Sequence, residues 1–228
     1  MSSHAAPHSA DLGHTDGAHG SIVWPADRFV GRASALKLGT WLFLLSDALS
    51  FTGMLLSYGI LRGAGRGPWW HAGEPGFGIG FTAGLTFLLI CSSLTMVMGV
   101  AAAREGKHGA TAGWLAATAI GGLLFLAGQY NEYFGLFGPG LIADGLHFGG
   151  SHRATTFFVI TSFHGAHVAT GVILLTVALV RTARAQGAGR GVPADAVESI
   201  GLFWHFVDLV WILVFTFVYL IPTARPGA

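Results

Sequence analysis

Five long apolar stretches constrain this 228-residue chain more than any other feature: Leu38–Leu61, Ile79–Ala103, Ala112–Phe134, Ala154–Val180 and Ile200–Ile221. Each reaches the roughly 20 residues that an α-helix needs to cross a hydrocarbon layer of about 30 Å. Backbone amides find no partner in lipid, so a spanning segment must pair them internally, as a helix or within a closed barrel. A barrel would show short alternating segments instead. The pattern therefore predicts an all-α integral membrane bundle of five transmembrane helices. Gly-, Pro- and Arg-rich connectors part the spans, as in Arg62-Gly-Ala-Gly-Arg-Gly-Pro68 and Arg184-Ala-Gln-Gly-Ala-Gly-Arg190.

Only 10% of the residues are charged, against about a quarter in a soluble domain. A net charge of +1 gives a nucleic acid nothing to hold, so no nucleic-acid partner is expected. The single cysteine, Cys91, excludes an intrachain disulfide, a four-thiolate zinc or iron–sulfur site, and a copper pair bridged by two thiolates. Lying among Ser92, Ser93 and Thr95, it reads as a small packing residue. Residues 1–30 form a polar tail with His4, His8, His14 and His19, and lack the apolar core of a signal peptide. That composition predicts a solvated, disordered tail rather than a metal chelator. Residues 31–222 make the membrane domain, and 223–228 a short C-terminal tail.

Lys and Arg set the direction. Arg28, Arg32, Lys37, Arg104, Lys107, Arg181, Arg184 and Arg190 fall on one side, and Arg62, Arg66, Arg153 and Arg225 on the other. The excess marks the cytoplasmic side, so the N-terminus is expected inside and the C-terminus outside, in a bacterial-type inner membrane. No internal repeat is evident, which weighs against an inverted-repeat transporter.

Charged and polar groups inside a span are costly and need a partner or a purpose. The candidates are Asp47 in the first span, Glu132 near the end of the third, His164 and His167 in the fourth, and His205 and Asp208 in the fifth. His164 and His167 share a helical face by their spacing, as do His205 and Asp208. Trp204, Asp208 and Trp211 form a further stripe, with the carboxylate between two indoles. Asp47 and His205 sit at comparable depth, which predicts a buried cluster joining the first and fifth helices. Taken singly, these groups read first as ties between helices. Small residues that would let helices approach include Ser46-xxx-Ser50, Thr95-xxx-Gly99-xxx-Ala103 and Gly165-xxx-Ala169, with Gln129 and Asn131 bonding across interfaces.

Cofactor chemistry has thin support in the residues. His164 and His167 on one face do not supply two imidazoles on opposite sides of a haem iron, and His205 adds only one more. Haem plus a three-histidine copper centre would need more intramembrane imidazoles than the spans hold. A zinc site of His164, His167 and Glu132 can be written down, with nothing in the spacing that favours it. No redox centre, haem, copper or other metal is expected on this chain.

Four segments carry a resemblance. Phe157-Phe-Val-Ile-Thr-Ser-Phe-His-Gly-Ala-His-Val-Ala-Thr-Gly171 and Trp204-His-Phe-Val-Asp-Leu-Val-Trp211 resemble two signatures of cytochrome c oxidase subunit III. Gly39-Thr-Trp-Leu-Phe-Leu-Leu-Ser-Asp47 is similar to that family's Trp-Leu-Phe-x-x-Ser-Glu motif. Gln129-Tyr-Asn-Glu-Tyr133 is similar to its Gln-x-x-Glu-Tyr. The segments follow family order and cover nearly all of residues 31–221.

The resemblance implies a non-catalytic membrane subunit of a haem–copper terminal oxidase, in the five-helix form that lacks the first two helices of the longer members. It implies packing against catalytic subunit I, with subunit II in the same complex, and haem and copper on those partners. It also implies structural phospholipid in a cleft and support of proton uptake by the catalytic subunit. The family's usual Glu is Asp47 here; it either exchanges protons or only hydrogen-bonds within the bundle. A subunit-III-like subunit of a quinol oxidase, an accessory protein of nitric oxide reductase, and an independent proton or solute transporter remain as alternatives.

Overall fold

The computed structural model describes residues 35–63, 77–135, 138, 140–185 and 192–221, and every regular element among them is helical. The helices are α1 (Ala35–Gly63), α2 (Ile79–Arg104), α3 (His108–Phe134), α4 (His152–Ala185) and α5 (Ala194–Val214), the last continuing as a π-helical turn over Phe215–Leu220. All five are long and apolar enough to cross a membrane. The expected terminal tails, residues 1–30 and 223–228, lie outside the described residues.

Each helix contains or overlaps its predicted span and runs past it. The largest difference is α5, which begins at Ala194 rather than Ile200. Its first turn is polar, so a hydropathy reading passes over it. The carbonyl of Pro193 accepts the Ala196 and Val197 amides and starts the helix there. Asp195 then suits the positive N-terminal end of the helix dipole. Helix α3 stops at Gly135, whose left-handed φ of 71° turns the chain while its amide bonds Asn131 O. The following loop is fastened to the same end: the Leu141 amide bonds Glu132 O and the Ile142 amide bonds Tyr133 O.

Helices α2, α3, α4 and α5 surround a common centre, and α1 packs from outside on α4 and α5. Two indoles, Trp204 and Trp211, are wholly buried within it. Trp204 fits because its neighbours have no side chain. A Cβ on Gly122 would stand 2.5 Å from its Cη2, and one on Gly171 would stand 2.8 Å from its Cε3. The expected Thr95–Gly99–Ala103 seam does face α3: Thr95 Oγ1 lies 2.8 Å from Thr118 Oγ1, and a Cβ on Gly99 would be 3.3 Å from Trp114 Cβ. Gly165 likewise gives room to Gln129 of α3.

Two expectations fail. Ser46 and Ser50 face outward from the bundle, and their hydroxyls bond Phe43 O and Ser46 O within α1. A hydroxyl that bonds its own helix needs no neighbour. Cys91 also faces outward rather than packing inside this chain.

At one end of the bundle, charges join three helices. Lys37 Nζ of α1 lies 3.2 Å from Asp195 and 3.3 Å from Glu198 of α5, and Arg104 of α2 lies 3.0 Å from the same Glu198. In the adjoining turn Lys107 pairs with Glu105 at 2.7 Å, which raises the Lys107 ammonium pKa above its ordinary value. At the other end Arg153 is buried, its guanidinium 4.2 Å from the centroid of the Phe77 ring.

Candidate functional site

The polar groups of the spans form three clusters, and the hydroxyls of α2 reach two of them. On α2, Thr82, Thr86, Ser92 and Ser93 face α5 and the end of α3, and each meets a longer side chain there. Trp204 Nε1–H donates to Ser92 Oγ at 3.1 Å, and Trp211 Nε1–H to Thr86 Oγ1 at 2.9 Å. Each indole is thus apolar on its faces and satisfied at its one donor. Ser93 Oγ lies 2.5 Å from His205 Nδ1. Asp208 is buried beside Ser93. Neither of its oxygens has a hydrogen bond among the described residues, and the Ser93 hydroxyl contacts the His205 imidazole.

The second cluster ties α1 to α4. Asp47 Oδ1 lies 3.2 Å from His167 Nε2, and His167 Nδ1 lies 2.8 Å from Phe163 O. The Phe51 ring packs edge-on to the same imidazole at 5.1 Å between centroids. The partner of Asp47 is therefore His167 and not His205, which corrects the pairing expected from depth. Equal depth does not fix azimuth: His205 turns toward α2, while α1 reaches α4. His164, three residues earlier, points into the centre. A spacing of three residues rotates a side chain by about 60°, enough to separate the two imidazoles. His164 is wholly buried with its ring 4.8 Å from Trp211 and 5.7 Å from Phe125, and neither nitrogen has a partner among the described residues.

The third cluster closes the other end of the bundle. Glu132 accepts from Thr82 Oγ1 at 3.2 Å and from Tyr219 Oη at 3.0 Å. These bonds join α2, α3 and the π-helical turn. Nearby, Gln129 Nε2 donates to Thr161 O at 2.7 Å and to Tyr133 Oη at 3.0 Å, tying α3 to α4. Glu132 is thus engaged away from His164 and His167, and among the described residues no three His, Cys, Asp or Glu side chains converge as metal ligands would.

Comparison with known proteins shows the family. The sequence model of the family Cytochrome c oxidase subunit III matches residues 26–222. The chain belongs to this family. Among its relatives, the cytochrome c oxidase subunit 3 of Corynebacterium diphtheriae is 33% identical over 196 residues, covering 84% of this chain and 91% of the relative. That of a Synechocystis species is 35% identical over 191 residues, covering 84% and 78%. As a subunit III, the chain is a multi-pass, non-catalytic membrane subunit of a haem–copper oxidase.

Sequence reasoning missed Ser92, Ser93, Thr86 and Tyr219. A signal for the hydroxyls was present, since a buried indole needs an acceptor. Tyr219 carried none, because the π-helical turn alters the helical register that would aim it.

Proposed function

We propose that this subunit III stabilises catalytic subunit I of a cytochrome c oxidase, in a complex with subunit II, and sustains proton uptake by subunit I during turnover. Haem and copper reside on those partners. The membrane is the bacterial cytoplasmic membrane, with the N-terminus inside. The convergence of Lys37 and Arg104 at one end of the bundle supports that direction. The relatives' printed names favour a cytochrome c oxidase over a quinol oxidase or a nitric oxide reductase accessory protein.

The Asp47–His167 contact carries this reading. A carbonyl oxygen only accepts, so His167 Nδ1 must carry a hydrogen toward Phe163 O. The contact between Nε2 and Oδ1 then needs a proton as well. A carboxylate facing an imidazolium and a carboxylic acid facing a neutral imidazole would each satisfy the contact, and each arrangement is net neutral. Within such a pair a proton can move between carboxyl and imidazole with no change of net charge, which lets the edge helix hold an exchangeable proton; handing it on requires that another be taken up.

Two apolar grooves flank α1. One, of about 500 Å³, is lined by Thr40, Phe43, Leu174 and Phe203 among others. The other, of about 430 Å³, is lined by Leu55, Tyr58, Arg62 and Phe217 among others. They suit phospholipid acyl chains.

Turnover of the complex carrying Asp47→Asn tests the proton role, because the amide keeps the size and the polar contact but cannot exchange a proton. Slower proton uptake and faster inactivation are expected. Unchanged values for both would leave Asp47 a packing residue only.

A further inference from the structure

Most exposed hydroxyls in the spans bond a carbonyl of their own helix: Thr40 to Leu36 O, Ser57 to Gly53 O, Thr216 to Ile212 O. Such groups can face hydrocarbon. His205 differs. Its Nδ1 is engaged by Ser93 Oγ, but its Nε2 has no hydrogen-bond partner among the described residues and is not sealed in the core. The ring therefore opens outward along the seam between α2 and α5.

His205 lies seven residues beyond Glu198, whose ion pairs with Lys37 and Arg104 mark the polar end of the bundle, which is about 10 Å at 1.5 Å per residue. The imidazole is too short to reach a headgroup from that depth. Around it the seam is apolar. Ile90 and Val97, one turn either side of Ser93, are 48% and 51% exposed, and Leu209, one turn beyond His205, is 57% exposed. A hydrocarbon chain laid on this surface would leave a ring nitrogen unpaired. A protein helix with a polar side chain at the same level would not, and polar side chains within spans pair in this way between helices. The Ser93 contact holds Nδ1 toward α2 and leaves Nε2 on the open side of the ring.

We infer that the α2–α5 seam centred on His205 is the surface against which a transmembrane helix of the catalytic subunit packs, with a hydrogen-bonding side chain of that helix meeting His205 Nε2. This rests on the subunit III reading above. By contrast the outer face of α1 between Leu42 and Ile60, with Leu45, Leu49 and Leu56 about two-thirds exposed, presents apolar groups and hydroxyls bonded within the helix.

The test uses the complex recovered in mild detergent through a tag on this chain, with a photo-crosslinking phenylalanine analogue at Leu209 or at Leu49. Leu209 should crosslink to the haem-bearing polypeptide and Leu49 should not. In parallel, His205→Phe should lower the catalytic subunit retained per tagged chain by about tenfold, the scale of one interhelical hydrogen bond, and His205→Gln should largely restore it. Recovery of an intact complex in which Leu209 crosslinks only to lipid would overturn the inference and leave the subunit III reading standing. Recovery of the wild-type chain with no haem-bearing polypeptide would overturn both.

Discussion

Asp47 of α1 and His167 of α4 meet at 3.2 Å inside the bundle, and their contact is the polar tie that holds the edge helix at mid-depth. With His167 Nδ1 turned to Phe163 O, the amide of Asp47→Asn can still donate to Nε2. That variant should keep the thermal midpoint of the purified chain close to the wild-type value. Asp47→Ala and His167→Ala should each cost about 1–2 kcal/mol, the scale of an interhelical hydrogen bond in a membrane. The double variant should cost little more than either alone, as a double-mutant cycle on the thermal midpoint would show.

The slot for Trp204 makes an opposite demand. Gly122→Ala would force a methyl against both Cη2 of Trp204 and Val172 Cγ2, at 2.5 and 2.6 Å. Overpacking of this kind costs about 1–3 kcal/mol, so a lower melting midpoint and altered tryptophan fluorescence are expected. Gly53→Ala is the control. Nothing lies within 4 Å of its Cβ position, and alanine favours the helix by about 1 kcal/mol. Its midpoint should stay the same or rise.

Trp211 depends on its acceptor. Thr86→Val keeps the shape of the side chain but leaves a buried indole N–H unpaired, at a cost of about 1–3 kcal/mol. Thr86→Ser should be mild. Adding Trp211→Phe to Thr86→Val removes the stranded donor, so that part of the loss should disappear from the measured unfolding free energy.

The charge cluster at the end of the bundle predicts a salt effect. Glu198 pairs with both Lys37 and Arg104, with a quarter of its side chain exposed. Glu198→Gln should lower stability by less than about 1 kcal/mol at low ionic strength. Near 1 M salt, where the Debye length is about 3 Å, wild type and variant should melt together.

Much of this architecture is legible in the sequence. Long apolar runs dictate helices because lipid offers the backbone no alternative, so the five spans were correctly placed. Residues that must be buried with a partner, such as Asp47, Glu132 and the two tryptophans, stood out for the same reason. Which group each would meet was not legible. Depth alone points Asp47 to His205, whereas the choice of His167 depends on how α1 leans on α4. The outward turn of Ser46 and Ser50 escaped prediction because small residues permit close approach without requiring it. The polar first turn of α5 was missed because its charges are satisfied by Lys37 and Arg104, which lie far away in sequence.

The central claim is that the buried acids and imidazoles of this chain bind helices and neighbours, while iron and copper belong to another polypeptide. Its most direct test is the visible spectrum of material purified through this chain in mild detergent, recorded before and after the subunits are dissociated. A haem spectrum in the complex that leaves entirely with the partner polypeptide is predicted. Haem absorbance that stays with the isolated chain would contradict the account.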